Sequence, residues 1–352
     1  MEPIIYTLPK IDKSIEISEL NIYFDDQASP KLMKFGFNNI NEQLDLIKLT
    51  SIPYYKTGLD FDFDREDENG IYFKASAQLK TDEFDLEFAE FWEILNIFGL
   101  LNNNQNIYTT HPKTIKNIIS VYQNYTNSKI IYNVIEKETK KSAKTTKTTA
   151  NLTINKYSNI DIDENAAIQF IINDLPDLFN IQNENSNMIL QLFNMQTKTT
   201  AEIINYLTSL YNEAYLMKPT VTSDLSDNKY LILLGLKKTQ NFTIPLHPEN
   251  IYLASLGIKQ ISNDLVTIIQ CMNSDIIPKK YKKYNKIKKY LDTKVYEGAT
   301  YQEMLNTQNE NAKKWLETFL NFDKMKSLLD QTIQKSKDKC STYAQLVNLL
   351  NQ

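Results

Sequence analysis

A chain of 352 residues, 42% hydrophobic and 23% charged, is long enough for an α/β domain with an appendage around a large core. Its formal charge of −4 argues against a protein that coats nucleic acid indiscriminately, while leaving room for local basic patches. Two cysteines far apart in sequence (Cys271, Cys340) and two histidines (His111, His247) exclude a zinc site of ordinary spacing and argue against a disulfide framework. No apolar run approaches the ~18 residues that span a bilayer and no signal peptide is evident, so a reducing, cytoplasm-like compartment is expected.

Residues 1–80 are expected to be β-rich, because Ile4–Leu8, Ile15–Phe24 and Ile71–Leu79 alternate or cluster apolar residues at strand length. Between them, the run from Asp60 to Glu68 holds six carboxylates in nine residues. It lacks the glycine and the distal glutamate of a Ca²⁺ loop, so a solvated or partner-docking loop is preferred to a metal site. Thr81–Leu101 is the clearest helix. Phe84, Phe88, Phe91, Trp92, Leu95 and Phe98 form one stripe, acidic Asp82 and Glu83 sit at the start, and Gly99 is near the stop. That stripe reads as core.

Thr110–Thr114 reads as a second helix start, with Pro112 in the first turn and Ile115, Ile118, Ile119 and Tyr122 on the buried face. His111 has no nucleophile nearby, and a structural or surface role is preferred to a catalytic one. Lys137–Ala150 is Lys/Thr low complexity, a loop that is either solvated or in touch with an acidic partner or RNA. Ala166–Asn173 is expected to be a buried strand with Asp174 at its carboxyl end, where open α/β sheets place active residues. Met188–Phe193 is a further strand, and Thr199–Thr200 can cap a helix over Ala201–Tyr211. Ala214–Met217, stopped by Pro219, and Lys229–Leu236 complete a strand–helix–strand–strand series that suits the end of an α/β sheet.

After Lys238 the chain is expected to be mainly helical. Over Ile277–Lys294, Lys279, Lys280, Lys282, Lys283, Lys286 and Lys289 are interleaved with Tyr281 and Tyr284. Two readings stand for this segment: a phosphate-binding helix, or one packed by its tyrosines and solvated by its lysines. Tyr301–Phe319 and Leu328–Leu350 continue as amphipathic helices.

The stretch 188–238 resembles the C-terminal half of FtsJ-like RNA 2′-O-methyltransferases, a family that includes cap-methylating enzymes of large DNA viruses. There a lysine-bearing strand precedes a helix, a Lys-Pro strand end and a loop leading to a Glu-Lys-Tyr strand. Here the pieces are Gln191, the 201–211 helix, Lys218-Pro219 and Asn228-Lys229-Tyr230. Phe91-Trp92-Glu93-Ile94-Leu95 resembles the helix before the family's cofactor loop, and Asn309–Trp315 its C-terminal segment. The glycine-rich turn that approaches S-adenosylmethionine in that family is replaced by Thr110-His111-Pro112-Lys113-Thr114, within a span from Leu100 to Leu234 that has no glycine. The family's Lys-Asp-Lys-Glu set, in which a lysine eases ionisation of the ribose 2′-hydroxyl, falls here on Glu90, Asp174, Gln191 and Asn228. Only Asp174 keeps its type. Gln191 brings no charge, and Glu90 would repel an alkoxide.

The resemblance implies a Rossmann-like methyltransferase sheet over 81–240, between the β-rich 1–80 section and a helical 241–352 region. It further implies a pseudo-methyltransferase of a large DNA virus, with no cofactor and no metal, in the host cytoplasm or viral factory, or packaged in the virion. The family offers a precedent in the small subunit of the poxvirus capping enzyme, a degenerate methyltransferase fold that stimulates its partner. The function so implied is a non-catalytic subunit in viral mRNA cap metabolism (capping, transcription or translation initiation). Its expected ligands are a protein partner and RNA, including capped mRNA, but no membrane. Two alternatives stand: a virion structural protein, and a divergent active RNA 2′-O-methyltransferase. The RNA-binding candidates are Lys279, Lys280, Tyr281, Lys282, Lys283, Tyr284, Lys286 and Lys289.

Overall fold

Among the described residues, nine strands are set by short apolar runs: β1 (Ile4–Thr7), β2 (Tyr23–Asp25), β3 (Gln105–Thr109), β4 (Tyr132–Glu136), β5 (Ala150–Asn155), β6 (Gln182–Leu192), β7 (Tyr211–Lys218), β8 (Lys229–Leu236) and β9 (Tyr252–Ser255). The helices are α1 (Ile71–Leu79), α2 (Leu86–Ile97), α3 (Pro112–Thr126), α4 (Glu164–Asn180), α5 (Lys198–Leu210), α6 (Asn263–Thr293), α7 (Ala299–Phe319) and α8 (Phe322–Leu350). These elements come from a computed structural model that describes residues 2–25, 71–136, 149–157, 164–239, 252–293 and 299–350. The acidic run Asp60–Glu68, the Lys/Thr stretch up to residue 148, and the side chains of Tyr284 and Lys289 lie outside the described residues.

Seven strands form one mixed sheet in the order β1-β7-β8-β6-β5-β3-β4. β3 is parallel to β4 and β5, and β5 is parallel to β6. β8 runs antiparallel between β6 and β7, and β1 is antiparallel to β7 at the edge. β2 and β9 make a separate antiparallel pair. Side chains alternate across the main sheet, as the two-residue period of a strand requires. Met188, Leu190, Leu192, Leu231 and Leu233 join one core with residues of α4 and α5. Ile189, Tyr230, Ile232 and Met217 join the other with residues of α1, α2, α3 and α7. Burial on both faces accounts for the near-continuous apolar runs of β6 and β8. α8 packs along β1, with Met325 and Leu328 in one core and Tyr343 in the other.

Two expected strands are helices. Ile71–Leu79 is α1, and its buried residues Ile71, Ala75 and Leu79 recur every fourth position, which is the helical period. Ala166–Asn173 lies inside α4, where Ile168, Ile171, Ile172, Leu175, Leu178 and Phe179 make one buried stripe. Its apolar density fits a short strand as well as a helix, and the stripe extending to Phe179 decides the matter. Asp174 is therefore a mid-helix residue. The strand end next to β6 belongs to Asn155, directly after the Lys/Thr stretch. α2 is shorter than expected because the Asp85 side chain accepts from the Phe88 N–H at 2.7 Å and fixes the start at Leu86. It stops before Gly99, whose φ of +59° suits a residue without Cβ.

The sheet places a switch point between β3 and β5. From β3 the chain passes through α3 to β4 on one side, then returns to β5 on the other. Open α/β sheets bind ligands outside the carboxyl ends of the strands at such a point.

Candidate functional site at the carboxyl ends of the strands

Thr109, Asn155, Leu192 and Lys218 end the parallel strands on one edge of the sheet. α2 lays Glu87, Glu90 and Glu93 towards that edge at intervals of three residues, so the three carboxylates form a row. Their partners differ, although Lys156 Nζ stands near both Glu87 (3.6 Å) and Glu90 (2.8 Å). Glu87 lies 2.9 Å from His111 Nδ1 and accepts from the Thr114 hydroxyl at 2.6 Å. Glu90 accepts from Lys156 Nζ at 2.8 Å, the Tyr230 hydroxyl at 2.7 Å and the Thr222 hydroxyl at 3.0 Å. Glu93 accepts from the backbone N–H groups of Thr220 and Val221 at 2.7 and 3.1 Å, and from Trp315 Nε1 at 2.7 Å.

The balance of burial against partners differs along the row. Burial pushes Glu90 up, but the Lys156 ammonium and three hydrogen bonds outweigh it and hold the carboxyl below its usual range. Burial likewise disfavours the charge on Lys156, and Glu90 more than restores it, so both partners move towards the ionised pair. Glu93 has hydrogen bonds but no cation, and burial wins, pushing it up to about 7. Glu87 stays below its usual range because His111, Thr114 and Lys156 outweigh its desolvation.

At the switch point the chain bonds to itself. The Thr110 hydroxyl donates to the Lys156 carbonyl at 3.1 Å and accepts from the Lys156 N–H at 3.2 Å. His111 Nε2 donates to the same carbonyl at 3.2 Å. His111 is also the residue before Pro112, the first residue of α3. The segment after β3 is thus bound directly to the end of β5, across the crevice where the resemblance places a glycine-rich cofactor turn.

A second arm of the network reaches the remaining positions. The Tyr157 N–H donates to Gln191 Oε1 at 2.6 Å, and Gln191 Nε2 donates to Asn228 Oδ1 at 2.9 Å. Asn155 Nδ2 donates to Asp174 Oδ2 at 3.1 Å, so the α4 carboxylate reaches the strand end from the side. Glu90, Asp174, Gln191 and Asn228 therefore lie in one hydrogen-bonded cluster, joined through Asn155, Lys156 and Tyr157. Those three linkers were missed in the sequence. The alternation in Asn151–Asn155 was their one signal, hidden beside the low-complexity stretch.

Two further lysines are buried here. Lys218 Nζ donates to the carbonyls of Ser223 and Ser226 at 2.9 and 2.7 Å, and Lys229 Nζ to those of Phe193 and Asp227 at 3.1 Å each. Burial, with the charge of Lys229, brings Lys218 down to about 7; burial brings Lys229 to about 8 despite Asp227. Both hold the 219–228 loop by its carbonyls. Chemically the edge is a set of closed pairs, among them the buried ion pair Glu90–Lys156, which carries no net charge.

The basic helix candidates separate. Lys280 is buried with its amine 2.6 Å from Asp227, so it belongs to the loop cluster. Lys283 is half-buried, and desolvation, then Lys286, brings it down to about 7. Lys279, Lys282 and Lys286 are exposed, as is Tyr281 at 49%. Among the described residues no group of three or more His, Cys, Asp or Glu is placed to hold a metal ion, and no helix is long and apolar enough to cross a membrane.

Fold and site together define a mixed α/β protein whose strand-end crevice is bridged by its own side chains. No protein-family model matches the chain. It is 45% identical over 355 residues to uncharacterized protein R383 of Acanthamoeba polyphaga mimivirus, with 100% of each chain covered. The chain belongs to the family of that giant-virus protein.

Proposed function

We propose that the chain is a catalytically inactive, Rossmann-like methyltransferase relative that serves as a protein-binding subunit in viral mRNA cap metabolism. The observation that carries this reading is the Glu90–Lys156 pair. In the FtsJ-like pattern the helix carries the lysine and the strand end the aspartate. Here the helix carries the carboxylate, and the ammonium stands one residue beyond the strand end at Asn155. The pair keeps the buried charges balanced, as a fold requires, but with reversed polarity. A 2′-hydroxyl presented to it meets a carboxylate where the reaction needs a cation.

The switch point between β3 and β5 and the antiparallel β8 support the Rossmann-like part of the reading. The His111–Lys156 bridge argues against a bound S-adenosylmethionine, because the cofactor's space is spanned by hydrogen bonds within the chain. What remains for function is the surface.

The test is affinity purification of the tagged chain from virus-infected cells, followed by reconstitution with whatever binds. The account expects a stoichiometric capping or cap-methylating enzyme whose turnover rises when the chain is added. Recovery of capsid proteins alone would favour the virion structural alternative. A second reading, RNA contact through α6, is favoured by exposed Tyr281 beside exposed Lys282 and Lys286.

A further inference from the structure

The two cysteines of the chain, far apart in sequence, meet in space. Cys271 on α6 and Cys340 on α8 pack in one hydrophobic cluster, close enough for each thiol to shift the ionisation of the other. The hydroxyl of Tyr6, from β1, lies 3.6 Å from Cys271 Sγ. One turn beyond Cys271, Asp275 accepts from Lys339 at 2.8 Å, and this ion pair fixes α8 against α6 beside the thiols. A groove lined by Tyr6, Cys271, Ser274, Asp338, Thr342 and Leu346 opens on the buried Cys271.

We propose that Cys271 and Cys340 form a thiol–disulfide exchange site that takes low-molecular-weight disulfides and, once oxidised, staples α8 to α6 beside β1. The Cys271 thiolate attacks one sulfur of RS–SR, forming a mixed disulfide and expelling RS⁻, which takes a proton from water. Cys340 then loses its proton to solvent and attacks the Cys271 sulfur, expelling the second RS⁻, which is protonated in turn. Two protein thiols are oxidised to one disulfide, and RS–SR is reduced to two RSH.

The surroundings assign the roles. The neighbouring Cys340 thiol, opposed by burial and helped by Tyr6, holds the Cys271 thiol below its usual range. Burial and the neighbouring Cys271 push the Tyr6 hydroxyl up, which keeps it a donor to that thiolate. The same pairing pushes the Cys340 thiol up, which suits the second, resolving step. Because α8 carries residues of both cores, the bond would tie the edge of the sheet to both of its faces.

The experiment exposes the full-length protein to oxidised glutathione, alkylates the remaining thiols and maps the peptides by mass spectrometry. The expected result is loss of both thiols and an internal 271–340 linkage. Cys340→Ser should hold glutathione on Cys271 as a mixed disulfide that cannot resolve, whereas Cys271→Ser should form less adduct on Cys340, which does not line the groove. Both thiols surviving exposure, linkage only between separate molecules, or no such difference between the two variants would overturn the proposal. The wild-type peptide map decides the first two points even where a variant fails to fold.

Discussion

The lysines at the strand ends and those on α6 are one residue type in opposite circumstances. Lys156, Lys218 and Lys229 are held inside, each committed to a carboxylate or to loop carbonyls. Lys279, Lys282 and Lys286 stand on an exposed helical face. Charge inside the crevice holds the chain together, whereas these α6 lysines lie at the surface, with Lys279 3.5 Å from Asp275.

The sharpest way to break this contrast is at the buried ion pair. Lys156→Met leaves Glu90 charged and without its cation, and should destabilise the fold by about 3–5 kcal/mol in denaturant unfolding. Adding Glu90→Gln should restore most of that loss, since both charges then leave together. If the single variant is as stable as wild type, the pair is not structural.

A smaller effect is expected at Glu93, in the same row. Its folded pKa, near 7, is raised above the ordinary value of 4.5, so its contribution is full below that ordinary value and is lost as pH rises through 7. The stability of wild type relative to Glu93→Gln should therefore shrink by on the order of 3 kcal/mol between pH 4.5 and pH 8. A pH-independent difference would mean that the carboxyl is ionised throughout.

The smallest effect on stability belongs to α6. Lys282→Glu with Lys286→Glu should change it by no more than about 0.5 kcal/mol. Any binding of single-stranded RNA should weaken, and its log–log salt slope should fall by roughly 1.4, about 0.7 for each lost phosphate contact. Unchanged affinity would reduce α6 to a solvated face.

Much of the fold beneath this contrast was legible in the sequence, but little of the contrast itself. The 188–238 series emerged as β6, α5, β7 and β8 because Pro219 and the capping threonines punctuate it, although the cap is Thr197. The aromatic stripe of α2 and the Pro112 start of α3 were equally clear. α1 and α4 were misread because short, dense apolar runs satisfy either period. That error displaced Asp174 from a strand end to mid-helix and hid Asn155, Lys156 and Tyr157. The ion pair itself joins residues 66 positions apart, and no local pattern announces such a contact. Lys280 turned inward because Asp227, on a distant loop, waits for it.

The central proposal is that the crevice does not take S-adenosylmethionine, the cofactor of the family that the sequence resembles. Calorimetric titration of the full-length protein with S-adenosylmethionine tests it most directly, with Gln191→Lys titrated alongside. The account predicts no heat of binding up to millimolar ligand for either protein, and no methyl transfer to RNA. A micromolar affinity in the unmodified chain would contradict it.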